Sequence, residues 1–370
     1  MTVREWYQHV DAALWRASVS TGEGVPRPWP DLDIDAGVEP WCSWIERVWA
    51  QSGVAEAIGV ASPVLASRVE EARAGVWPDA ARVRRMAVSL ARYLVRMRGR
   101  ATPFGLFAGV APIRFGTVAV SRGSQAHHRL VRPDAGWLAS VIARLESDPA
   151  LRCRLRVAVN ELAVVRGDRL VVTWQPHASE LGHHGPVEVS VRHTPPVRIV
   201  QSSAGSPILV GDLVDKLAAE FPHAERQTVD ALVAELVAQG VLITSLRPPL
   251  TAVDGLGHVV AALQDLDAST VPQVAALIGE LRAIQADLRV TDRPASPLTE
   301  QRAPAVTVER MRALSDTATQ PLVVDLRLGD TVVLPEQVAV EAASAAGALL
   351  RLSAAPTGVA GWREYHGRFL

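Results

Sequence analysis

Seven arginines, at positions 82, 84, 85, 92, 96, 98 and 100, fall in one short stretch with no Asp or Glu among them. Arginine pairs bidentately with phosphate and carboxylate while its stem packs, so such a cluster is suited to binding a polyanion. The spacing predicts a helix. Val83, Ala87, Leu90, Leu94 and Met97 recur at 3–4 residue intervals as an apolar stripe. Arg85, Arg92 and Arg96 fall on the opposite face, with Arg82 and Arg100 beside them. A helix held by its own surface ion pairs would interleave acids at i+3 or i+4. This one does not, so its positive face is open to an external anion. Gly99 weakens the helix, and Pro103 disfavours helical geometry in the residue before it. Just beyond stands Thr102-Pro103-Phe104-Gly105, where the Thr102 hydroxyl either faces a ligand or caps the turn.

Other chemistry-bearing residues are fewer. Cys42 and Cys153 show no CxxC and no Cys/His spacing, so neither a zinc site nor a disulfide framework is expected. The pairs His127-His128 and His183-His184 lack partner ligands at metal spacing. The first reads as a solvated turn, the second as a glycine-flanked loop, and no metal is assigned. Neither a P-loop nor a GxGxxG occurs, which argues against the usual nucleotide cofactors.

The elements that position these residues read as α+β, with helices and mixed or antiparallel sheets, in three consecutive blocks: 1–154, 155–250 and 251–370. In the first block, residues 3–18 fit a short helix and 22–40 a Pro/Gly-rich connector. Residues 39–51 fit a helix with Trp41, Trp44, Ile45, Val48 and Trp49 inward. IGVASPVL suggests a strand, then a helix opened by Ser62-Pro63. The arginine helix follows, then GLFAGVAPIRFGTVAVS as a hairpin and a helix from Ala135. In the second block, a hairpin turns at Gly167-Asp168, and an alternating strand leads to two amphipathic helices with Gly240 as C-cap and a closing strand. This unit looks like a winged helix-turn-helix. Its second helix carries Glu225, Asp230 and Glu235 against Arg226, a poor match to a DNA groove, so no DNA partner is expected. The third block holds a long helix over 255–290, marked by Val274, Leu277, Leu281, Ile284 and Leu288. A strand pair around Asp325, a helix opened by Pro335 and the amphipathic GWREYHGRFL complete it.

Composition sets the frame. With 370 residues, 48% hydrophobic and 21% charged, the chain is globular and long enough for more than one domain. Net charge is −1, which excludes a wholesale polycation, so any nucleic-acid contact must be a local patch. Lys216 is the only lysine, and the tryptophans are expected in the core. No signal-peptide pattern and no run of about 18 apolar residues appears, which predicts a cytoplasmic protein without integral membrane association.

At RMRGRATPFGLFAGV the sequence resembles the lantibiotic dehydratase family, in its N-terminal, glutamylating part. VDAALWRAS, IGVASPVL, RPDAGWL, VSVRHT, LITSLRPPLT, VVDLRL and WREYHGRFL look like family blocks in family order. The resemblance implies transfer of glutamate from glutamyl-tRNA, a co-substrate rather than a cofactor, to Ser and Thr of a ribosomally made precursor peptide. Elimination to dehydroamino acids follows. It implies that Arg96, Arg100 and Thr102 serve glutamylation, with Asp134 in RPDAGW and Asp325 in VVDLRL as further matches. Asp134 equally suits an N-cap, and Asp325 a buried partner of an arginine. Arg85, Arg92, Arg96 and Arg100, together with Arg16 in WRAS, would hold the tRNA. The winged unit would take the precursor's leader as an added strand. Full-size relatives continue beyond GWREYHGRFL, so elimination would fall to a partner chain or further domain. The rival reading is a non-catalytic leader-binding module of a modification complex.

Overall fold

The computed structural model describes residues 7–10, 12–19, 29, 38–123, 127–173, 188–291, 294–295, 305–317, 320–355 and 358–369. The His183-His184 pair lies outside them. In chain order, β1 (Ala13–Ser18) precedes α1 (Glu39–Trp49), α2 (Val54–Ala61), α3 (Pro63–Ala74) and α4 (Ala80–Gly99). Then come β2 (Ala108–Gly116), β3 (Val120–Arg122), β4 (His127–Pro133), α5 (Ala135–Ser147) and α6 (Pro149–Arg152). The strands β5 (Arg156–Val159), β6 (Ala163–Arg166), β7 (Arg169–Val172) and β8 (Val189–Arg192) lead to α7 (Pro195–Ser203). They are followed by β9 (Ile208–Leu209), α8 (Val210–Glu220), α9 (Arg226–Ala238), β10 (Leu242–Thr244) and α10 (Gly255–Asp265). The last elements are α11 (Pro272–Thr291), β11 (Pro294–Ala295), α12 (Ala305–Leu314), β12 (Leu322–Arg327), β13 (Thr331–Pro335), α13 (Glu336–Leu352) and α14 (Ala360–Phe369). The class is α+β, with mixed and antiparallel sheets, as the sequence predicts.

Two compact units form. One holds Met1–Leu130, Pro294–Glu300 and Asp325–Leu370, the other Val131–Arg293 and Gln301–Val324. In the first unit, α1 buries the five residues its 3.6-residue period predicts. Four expectations fail here. Residues 13–18 form no helix, because Leu14 has no core to enter (65% exposed) while β2 offers an open edge. β1 therefore pairs antiparallel with β2, Arg16 opposite Val110. IGVA is the end of helix α2, not a strand. Gly53 opens α2 at φ 76°, and Val54, Ala57 and Ile58 bury together, which outweighs β-branched preference. β2 and β3 make no hairpin, because β13 lies between them, parallel to β2 and antiparallel to β3. Nor do β12 and β13 pair with each other: both run parallel to β2, registered at Val110 and at Ile113 to Gly116. The tryptophans also divide, with Trp41, Trp44 and Trp137 buried but Trp15 and Trp362 exposed.

In the second unit, one apolar core joins α5, α7, α8, α9, α10 and α11. The hairpin β6–β7 turns at Gly167-Asp168 with Gly167 at φ 61°, and β8 adds antiparallel to β7. Gly240, at φ 68°, ends α9 as its sequence position predicts. The sheet beside the helix pair has the order β10-β5-β9. Its β5 precedes the helices in sequence, and among the described residues no strand after β10 joins it as a wing. The 255–290 stretch is two helices rather than one. Asp267, at φ 47°, breaks it, and α11 carries the predicted apolar positions.

Candidate functional site: the arginine helix and the sheet beside it

Helix α4 has the predicted polarity. Val83, Met86, Ala87, Leu90 and Leu94 are buried, while Arg82, Arg85, Arg92 and Arg100 are exposed. Met97 is only half-buried. The Asp79 side chain caps the N-terminus by accepting from the Arg82 amide at 2.9 Å. At the other end, the Arg100 amide donates to the Arg96 carbonyl at 3.1 Å. Backbone then turns extended at Arg100. Cations in this last turn also complement the negative end of the helix dipole.

Arg96 departs from a simple solvated face. Its guanidinium carbon lies 4.1 Å from the centroid of the Phe104 ring, a cation–π arrangement that joins helix to turn. Its Nε is buried without a hydrogen-bond partner among the described residues. An unmade bond of that kind is costly. Phe104 packs against Phe107 at 5.6 Å, and Phe107 against Tyr93 of α4 at 5.9 Å. The turn is closed by the Phe107 amide donating to the Phe104 carbonyl at 3.0 Å. Gly105 is required there, with φ 52° and a Cβ position only 3.0 Å from Val60 Cγ1. Thr102 is exposed, and its hydroxyl makes no hydrogen bond among the described residues, so it caps nothing here.

The sheet brings two further predicted residues to this corner. Val110 of β2 is registered with Arg16 on one side and Arg327 on the other, which places both arginines on one face. Asp325 and Ser18, each two residues along its strand, share that face. The Ser18 hydroxyl donates to the Met97 carbonyl, which ties the same face to the last turn of α4. Arg16, Asp325 and the Arg96–Thr102 segment thus belong to one unit. Sequence reasoning missed Arg327. The only signal was its place two residues after Asp325 in a strand, which fixes a shared face but not its neighbours.

Asp134 belongs to the other unit. Its Oδ1 accepts from the amides of Gly136 at 2.8 Å and Trp137 at 3.2 Å, the N-cap reading made concrete. The solvated-turn reading of His127 is overturned: it lies buried in β4, its Nδ1 accepting from the Gly329 amide at 3.3 Å. Burial holds the imidazole below its ordinary pKa of 6.5, with Asp330 opposing and His128 reinforcing the shift. The unfolded chain therefore takes up the proton more readily than the folded one. Stability should fall as pH drops through 6.5, and His127→Gln should flatten thermal melts between pH 7.5 and 5.5. Equal slopes would remove the assignment. Among the described residues no cluster of three or more His, Cys, Asp or Glu could hold a metal ion, and no helix is long and apolar enough to cross a membrane.

An arginine-faced helix beside a mixed antiparallel–parallel sheet defines an α+β protein with an arginine-lined corner. Residues 50–370 match the family described as lantibiotic dehydratase, N terminus, and the chain belongs to that family. It is 27% identical over 173 residues to the subtilin biosynthesis protein SpaB of Bacillus subtilis, covering 46% of this chain and 16% of SpaB. It is 23% identical over 188 residues to the epidermin biosynthesis protein EpiB of Staphylococcus epidermidis, covering 50% of this chain and 19% of EpiB. Among solved structures it is similar to the tRNA dependent lantibiotic dehydratase MibB from Microbispora sp. 107891. That match has a TM-score of 0.74 and 36% identity, over 90% of this chain and 32% of MibB. The chain thus spans a third or less of these relatives' length.

Proposed function

We propose that this chain is the tRNA-binding part of a dehydratase of the lantibiotic type, which moves glutamate from glutamyl-tRNA to Ser and Thr of a precursor peptide. The observation that carries this reading is Arg96, stacked on Phe104 beside Arg100 and Thr102, in a chain of this family. The same corner carries Arg16 and Asp325, and MibB, its structural relative, is described as tRNA dependent.

The chemistry is a transesterification. The peptide hydroxyl oxygen forms a bond to the glutamyl ester carbonyl carbon, and the bond from that carbon to the tRNA 3′ oxygen breaks. The hydroxyl proton passes to a base and from it to the leaving 3′ oxygen. Arg96 and Arg100 hold the terminal phosphates through their guanidinium groups. Asp325, in the same unit, is the base or the anchor for the glutamyl ammonium. A subsequent loss of glutamate as carboxylate, with the α-proton, belongs to a further domain or partner chain. The precursor's leader adds to an edge of the β6-β7-β8 sheet or beside the β10-β5-β9 sheet, within residues 155–250. The setting is the cytoplasm, where charged tRNA is present.

Mixing the chain with precursor peptide and glutamyl-tRNA, with the remaining dehydratase portion supplied, should yield precursor heavier by glutamyl adducts. Peptide that binds but never gains glutamate would select the leader-binding module instead. Replacing Phe104 with Leu removes the ring under Arg96 and should weaken tRNA binding about three- to tenfold. The melting temperature should shift little, because Phe104 is only half-buried. Unchanged binding would show that the stacking does not orient Arg96.

A further inference from the structure

Away from the TPFG corner, α3 and α4 enclose a groove of about 630 Å³. That is within the range of small-molecule sites and large enough for a nucleotide. Its lining is divided by chemistry. Arg68, Arg82 and Arg85 supply three guanidinium groups, and Leu65, Ala72 and Met86 an apolar floor. Arg82 is partly committed, 3.2 Å from Asp79. Arg68 and Arg85 make no ion pair among the described residues. Glu71 is the one carboxylate in the lining, oriented by the Ser67 hydroxyl at 2.6 Å. Val76, 92% exposed, also lines the groove.

The groove and the corner already described lie along the same helix, α4. Arg85, Ser89, Arg92 and Arg96 succeed one another at spacings of three or four, so they share one face of α4, and Arg100 follows just past its end. Arg85 and Arg96 are eleven residues apart, about 16 Å along the axis at about 1.5 Å per residue. A single polyanionic strand lying on that face would meet cations along its whole length.

We propose that the α3–α4 groove is a second nucleotide subsite for the same tRNA. One nucleotide packs its base on Leu65, Ala72 and Met86, places its phosphate between Arg68 and Arg85, and donates a base N–H to Glu71. The inference rests on the proposed function, since the strand is assigned there. A polyphosphate or acidic peptide would gain from the arginines but be opposed by Glu71 and would leave the apolar floor unused. A nucleotide uses all three surfaces, which is the reason for choosing it.

The test uses the full chain and glutamyl-tRNA in filter binding across a salt series, with R68A/R85A, E71Q and R96A/R100A compared. R68A/R85A should weaken binding about tenfold and reduce the slope of log K against log salt by roughly one, since one phosphate contact is lost. E71Q should weaken binding modestly, since a neutral amide oxygen accepts more weakly than a carboxylate and one of the two acceptor atoms is lost. A groove acting only as a cation patch would bind more tightly once Glu71 is neutral, and that outcome overturns the nucleotide assignment. Far-UV helicity and melting temperature matching the parent exclude misfolding, and R226A, in an exposed pair with Asp215, serves as an unaffected control. If R96A/R100A weakens binding while R68A/R85A leaves affinity and slope unchanged, the groove falls and the proposed function stands. If neither double variant changes them, both fall.

Discussion

Alanine at both Arg96 and Arg100 is expected to lower affinity for glutamyl-tRNA at least a hundredfold and to abolish glutamyl transfer to precursor peptide. Hydrogen bonds to charged groups contribute about 1.5–3 kcal/mol each, so two lost phosphate contacts amount to about 3–6 kcal/mol. The structure adds a reason to expect a larger effect from Arg96 than from Arg100. Arg96 is pre-oriented by Phe104 and carries a buried Nε without a partner, whereas Arg100 is exposed and free to reorient. Pre-orientation reduces the entropy lost on binding, so the single Arg96→Lys variant should also bind poorly despite keeping the charge. Stability should barely move, because Arg96 gives up only one ring contact. A double variant that retains near-parental affinity and salt dependence would exclude the corner as the tRNA site.

The largest stability effect is expected in the second unit, at Glu146. Its carboxylate is buried, at 4% side-chain exposure, and accepts from the Thr244 hydroxyl at 2.6 Å. Arg247 reaches it through Nε at 3.1 Å and a terminal nitrogen at 2.7 Å. The network fastens α5 to the segment after β10. Arg247→Ala leaves a buried carboxylate with its charge uncompensated and should destabilise the protein by about 3–5 kcal/mol. Pairing it with Glu146→Leu should recover most of that loss, because the buried charge itself is then gone. Denaturant unfolding of the two single variants and the double measures the coupling. If Arg247→Ala alone costs under about 1 kcal/mol, the pair behaves as a surface salt bridge and the fastening is wrong.

Local regularity was the part legible in the sequence. Helix α4 and its buried stripe, the five inward residues of α1, the Gly167-Asp168 hairpin and the glycine stop of α9 follow from periodicity and from glycine's access to positive φ. These depend on neighbours within a few residues, so the sequence specifies them. The resemblance carried by RxxxRxTPFG likewise led to the family that the match over residues 50–370 establishes.

Partnership between distant segments needed the tertiary structure. β1 is a strand because β2 has an edge to offer, and β3 is parted from β2 because β13, more than two hundred residues later, lies between them. Backbone hydrogen bonding is nearly indifferent to side-chain identity, so period-2 alternation does not say which strand lies beside which. For the same reason Arg327 joined Arg16 around Val110 only once strand register was known. Likewise, only packing paired Arg96 with Phe104: eight residues separate them, and the chain bend after Gly99 decides where that ring goes. The sequence by itself determined an arginine face, its helix and its family. The tertiary structure decided which residues surround that face, because a site assembled from several strands and a turn is fixed by pairing and packing rather than by any local pattern.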